Sequence, residues 1–132
     1  LGARDTAQVM AAVDKWVAGL DKTDKAYEHH VLEALWVHQW HNVVDEGLLK
    51  RMLRSPDYHA RAAATRVLCY WRDRVKDPLD LLEVQVKDEH ARVRLEAVRA
   101  CSFFTTARAA EVALAALDTG PVCIDLEEYP TP

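Results

Sequence analysis

Four histidines crowd one stretch of the chain, EHHVLEALWVHQWHNVVDE: His29, His30, His38 and His41, with Asp45 just beyond them. His38 and His41 are three residues apart on one face of a helix, and Asp45 continues that face. Imidazole and carboxylate donors so placed could hold a divalent transition ion. No other group of residues offers chemistry as directly. The carboxylate pairs Asp45-Glu46, Asp88-Glu89 and Glu127-Glu128 are sequence neighbours at helix starts or in the tail, where capping and solvation account for them. There is no Gly-rich phosphate loop, no GxSxG turn and no HExxH helix. Cys69, Cys101 and Cys123 are odd in number and lack a CxxC spacing, which argues against a disulfide framework or a thiolate zinc site. Cys69 and Cys101 read instead as small apolar core residues.

These side chains depend on helices to position them. Apolar residues recur three and four apart almost throughout, and no alternating run suggests a strand, so the class is all-α. Punctuation gives about seven helices. The first spans about Thr6 to Leu20, the second Asp24 to His41 and the third Val44 to Leu53. Ser55-Pro56-Asp57 breaks the chain and caps a fourth helix, from Tyr58 to Trp71. Asp77-Pro78, a capping side chain followed by proline at the first helical position, opens the fifth. A sixth spans His90 to Phe104, and Thr105-Thr106 caps a seventh ending near Leu117, ahead of Gly120-Pro121.

The helices repeat. HHVLEALWVHQWH (29–41), HARAAATRVLCYW (59–71) and RVRLEAVRACSFF (92–104) align at spacings of 30 and 33 residues. Ala34, Ala64 and Ala97 coincide, as do Val37, Val67 and Ala100. The helices between them also match: Leu48, Leu49 and Leu53 correspond to Leu81, Leu82 and Val86, and then to Val112, Ala113 and Leu117. A two-helix unit of this period is the signature of an α-solenoid, here a right-handed stack in which neighbouring pairs share a core. The recurring alanine lets paired helices approach closely. The repeat domain is residues 1–117, with pairs at about 6–41, 44–71 and 78–104 and an unpaired helix at 107–117. Residues 118–132 form an acidic non-helical tail. The alignment also reassigns the histidines. His30, His38 and His41 occupy positions held elsewhere by Ala, Val, Leu, Cys, Trp and Phe, so they are expected to pack the core between repeats. No metal or cofactor is expected in this chain.

Seventeen Lys and Arg face twenty-one Asp and Glu, and four of those acids lie in the tail, which has no basic residue. The body is neutral, which speaks against a domain that works by phosphate attraction. No apolar segment is long enough to span a membrane. The start, LGARDTAQ, has neither an initiator Met nor a signal-peptide pattern, and reads as a piece of something longer.

The repeat resembles HEAT repeats, whose second helix follows an Asp and carries Val-Arg, then Ala, then a small apolar pair. Asp88, Val93-Arg94, Ala97 and Ala100-Cys101 fit that pattern, and Asp57, Ala60-Arg61, Ala64 and Val67-Leu68 nearly do. The resemblance implies that Asp57, Arg61, Asp88 and Arg94 form a structural ladder between units. LEALWVHQWHNVVDE and RVLCYWRDRV are further similar to the HEAT segment of large bacterial membrane-bound dehydrogenases, in which a β-propeller precedes the repeats and a c-type cytochrome follows. That similarity implies a periplasmic or cell-envelope setting. No CxxCH is present, so any haem chemistry lies outside this chain.

Second helices of a solenoid line its concave side, where partners bind. The repeat sets Glu33, Ala63 and Glu96 in one row there, Trp36, Arg66 and Arg99 in a second, and Trp40, Tyr70 and Phe103 in a third. Aromatic and arginine side chains are the usual interface anchors. The sequence therefore points to a non-catalytic scaffold contacting a protein or a neighbouring domain, as a module of a larger cytochrome-bearing dehydrogenase. One alternative is a HEAT-like nucleic-acid binder or DNA-repair-type enzyme using the same face. Another is a helical-repeat enzyme for a small molecule, which would need a catalytic residue in the groove.

Overall fold

The computed structural model describes residues 5–120, and these form seven helices and no strand. α1 is Thr6–Ala18, α2 Tyr27–Trp40, α3 Glu46–Met52, α4 Tyr58–Tyr70, α5 Pro78–Gln85, α6 Ala91–Cys101 and α7 Ala107–Thr119. The part of the expected tail from residue 121 onward lies outside the described residues.

Side-chain caps set most of the starts. Asp5, Asp45, Asp57 and Thr106 each accept a backbone N–H from the first turn of the helix they precede. α3 starts at Glu46 rather than Val44 because Asp45 sits extended and takes the Leu48 N–H at 3.0 Å. α2 starts at Tyr27 rather than Asp24, since Asp24 is spent on a turn that accepts the Ala26 N–H. Two expectations at caps are corrected. Asp77 precedes Pro78 as anticipated, but its backbone is left-handed (φ 49°) and its side chain makes no capping bond. His90 is the cap of α6 rather than its first residue, and its Nδ1 accepts the Arg92 N–H. The tail prediction is corrected as well: α7 continues through Asp118 to Thr119, because the first true breaker is Gly120, whose φ of 150° disfavours a side chain.

α2, α4 and α6 lie side by side in one layer, α4 packing on both of the others. α3 fills the step between α2 and α4. α5 packs on α4, α6 and α7, and α7 on α5 and α6. The core runs between these layers through Leu35, Leu49, Met52, Leu68, Trp71, Leu82, Val86 and Val93, all fully buried. Ala34, Ala64 and Ala97 are likewise fully buried, as the close approach of the second helices demands. Repetition fails at both ends. α1 packs against α2 alone and buries no residue completely. Leu117 in α7 is 66% exposed although its counterparts Leu53 and Val86 are buried, since among the described residues no further pair covers it.

The repeat period also appears as polar ties between units. Arg74 Nη2 donates to Asn42 Oδ1 at 2.6 Å and the Lys76 N–H to Glu46 Oε1 at 2.9 Å, binding the segment after α4 to the turn after α2 and to the start of α3. Ser55 Oγ donates to Glu28 Oε2 at 2.6 Å, beside an Arg51–Glu28 ion pair. Arg108 pairs with Asp80 one unit further on. Within the core, Gln85 Nε2 donates to Thr65 Oγ1, which itself donates to the Arg61 carbonyl, so the buried hydroxyl is satisfied.

Candidate protein-binding face

Turning Ala34, Ala64 and Ala97 inward turns the residues two positions on outward. Trp36, Arg66 and Arg99 form one exposed row across α2, α4 and α6, and Trp40, Tyr70 and Phe103 a second. Trp40 is 87% exposed and Tyr70 61%. Of the first predicted row, Glu33 and Ala63 are half-buried and Glu96 is buried.

Shallow grooves run between the rows. Trp36, Gln39, Trp40 and Tyr70 line one of about 520 Å³. A second, of about 510 Å³, lies between α4 and α6 and is lined by Tyr70, Arg66, Cys69, Arg72, Arg99 and Phe103, among others. A third, of about 460 Å³, includes Trp36, His29, His59 and Arg92. The second groove is shaped by fixed charges. Arg66 Nη2 donates to Glu96 Oε1 at 2.6 Å. The Arg72 guanidinium lies 4.7 Å above the Phe103 ring and donates to the Cys69 carbonyl, which holds that ring in place.

The thiols here are poor nucleophiles. Burial pushes the Cys101 thiol up to about 11, and the neighbouring Cys69 adds to the shift. Burial also raises Cys69, against the opposing pull of Arg72 and Arg99. Since thiolates carry cysteine reactivity, burial makes both thiols less reactive than a free cysteine.

Of the ladder residues, Asp57 borders the third groove together with Trp36 and Arg66. Arg61 is forked onto Asp88, Nε to Oδ2 at 2.8 Å and Nη2 to Oδ1 at 3.1 Å, and its Nη1 donates to the Ser55 and Pro56 carbonyls. Arg94 repeats the second half of that pattern, donating to the Asp88 and Glu89 carbonyls. Asp57 departs from the ladder: it caps α4 and pairs with His59, because Val31 stands in α2 where α4 has Arg61.

Of the histidine cluster, His38 is 3% exposed and faces Asp45, with Nε2 and Oδ2 3.7 Å apart. His30 stacks obliquely on Trp16 of α1, and His41 ends α2. The sequence reading missed two participants. Arg72 follows α4 outside the repeat alignment, and Asp14 in α1 lies beside His38 and Asp45. Only the packing of α1 on α2 reveals the second.

Stacked helical pairs tied at one-repeat intervals define an α-solenoid repeat protein. The sequence pattern of HEAT repeats matches residues 46–124, more than half of the chain, and the chain belongs to that family. No curated protein and no solved structure matches it. The matched span begins at α3, leaving α1 and the histidine-rich α2 outside it. HEAT repeats commonly serve as protein-interaction scaffolds and are generally non-catalytic. No helix of the described residues is long and apolar enough to cross a membrane.

Proposed function

We propose that this chain is a non-catalytic scaffold that grips a protein segment, or a neighbouring domain of its own polypeptide, on the α2–α4–α6 face. The observation that carries the reading is the exposed aromatic row Trp40, Tyr70 and Phe103, with Trp36, Arg66 and Arg99 alongside. A solvent-facing row of large rings costs solubility unless a partner covers it, and Trp, Tyr and Arg are the side chains that dominate interface energetics. The polar atoms between the rings supply orientation.

The finer reading places the scaffold inside a cytochrome-bearing envelope dehydrogenase. Its support is the similarity of LEALWVHQWHNVVDE and RVLCYWRDRV to the HEAT segment of those proteins. The near-neutral body favours a protein partner over a nucleic acid.

A photo-crosslinking residue at Tyr70, compared with one at Lys50 on α3, tests the contact face in the native cells. Crosslinks from position 70 to one protein or one neighbouring domain, absent from position 50, are expected. Equal crosslinking from both positions, or capture of nucleic acid from position 70, defeats the proposal. The denaturing mass of the natural gene product tests the module: a band near 14.9 kDa removes it.

A further inference from the structure

α1 poses a mechanical problem. It buries no residue completely and packs on α2 alone, and Val9, Val13 and Trp16 line an open groove along it, so apolar burial alone holds it weakly. On its polar side, three donors from three different segments converge. They are Asp14 of α1, His38 of α2 and Asp45 at the start of α3, with their ligand atoms all within 4.8 Å of one another.

Two of the three are aimed by bonds outside the cluster. His38 Nδ1 lies 2.9 Å from the Ala34 carbonyl, and a carbonyl only accepts, so in the neutral ring Nδ1 carries the proton and Nε2 presents its lone pair. That is the arrangement by which a backbone carbonyl orients a metal-binding imidazole. Asp45 Oδ1 is occupied by the Leu48 N–H of the α3 cap, which turns Oδ2 toward His38. The 3.7 Å between Nε2 and Oδ2 is too long for a hydrogen bond. It is close to the spacing of about 3.4 Å expected for two donors each about 2.1 Å from a shared tetrahedral ion. His38 is thus more than nine-tenths buried with its free ring nitrogen facing two carboxylates.

We infer that Asp14, His38 and Asp45 bind one divalent cation of the zinc type and that this ion staples α1 to the first helical pair. Two carboxylates and a neutral imidazole supply two negative charges, matching a dication, and the mixed nitrogen and oxygen donors suit zinc better than calcium or magnesium. Three protein ligands leave at least one position for water. His38 is buried as the repeat alignment leads one to expect, and the site adds a ligand role to that packing. It lies away from the aromatic rows, so it neither needs nor supports the scaffold reading.

The test is calorimetric titration of zinc chloride into the chelator-treated 132-residue chain, with thermal unfolding as a second readout. One ion per chain is expected, with a rise in Tm on saturation. Asp14→Asn and Asp45→Asn should each weaken binding at least about tenfold and abolish the Tm rise, since each removes one charged ligand. Asp14 is exposed, and Asn at 45 still caps α3, so both variants should fold, as their circular dichroism will report. Absence of binding overturns the inference. So does binding that survives both substitutions, which would locate the zinc on other histidines. Binding of calcium in preference to zinc also overturns it.

Discussion

Arg61 and Asp88, 27 residues apart in sequence, meet through two parallel hydrogen bonds with both side chains largely withdrawn from water. The same guanidinium holds the Ser55 and Pro56 carbonyls, so one side chain fastens α4 to its own entry turn and to the next unit. Arg61→Ala should cost about 3 kcal/mol, because it strands Asp88 and two carbonyls together. Arg61→Lys keeps the charge but loses the fork, and should recover only part of that loss. Urea denaturation of the two variants and of the Arg61→Ala/Asp88→Ala double variant checks both statements, with the double expected to be less damaging than the sum of the singles.

Tyr70 and Trp71 are neighbours with opposite fates. Trp71 is fully buried, and its truncation to Ala should cost about 3–5 kcal/mol. Tyr70→Ala and Trp40→Ala, on the outer face, should change stability by no more than about 0.5 kcal/mol while reducing crosslinking to the partner. A loss of fold in the outer-face variants would show that the row packs rather than binds.

The alanine at the helix crossing permits no enlargement. Ala64→Leu should destabilise by roughly 1–3 kcal/mol or more, because α4 is flanked by both α2 and α6 and can retreat from neither. Ala63→Leu, one residue earlier and half-buried, should be far milder. Thermal unfolding of the two variants decides the point.

Cys101 should resist alkylation. With its thiol pushed up to about 11 from 9.0, its thiolate population at pH 8 falls about a hundredfold below that of a free cysteine, and iodoacetamide labelling followed by peptide mapping should show it. Folding favours the protonated form, so the associated stability is intact below pH 9 and drains away as the pH climbs toward 11. Cys101→Ala should flatten that alkaline loss.

The seven helices and their period were legible because three- and four-residue apolar spacing, repeated at 30 to 33 residues, has only one economical packing. The Arg61–Asp88 rung was legible only through the resemblance to HEAT repeats, whereas the missing rung at Asp57 turned on a single residue, Val31, in the previous unit. The Asp77 cap was misread because a capping residue type does not reveal a left-handed backbone. Arg72 over Phe103 depends on a side-chain rotamer, and no spacing rule conveys that. Asp14 was invisible for a different reason. α1 is not a copy of the repeat, so no register connects it to His38 and Asp45 until the helices are docked.

No described helix touches another more than two places away along the chain. Every contact that builds the fold therefore closes a loop of about one repeat, and no distant pairing has to be found before the nearer ones are rewarded. Chains organised this way search little: helical topologies of such low contact order reach the native state in roughly microseconds to milliseconds. Assembly can start at the α4–α6 crossing and spread outward in both directions, leaving the two ends as the last to set and the first to open.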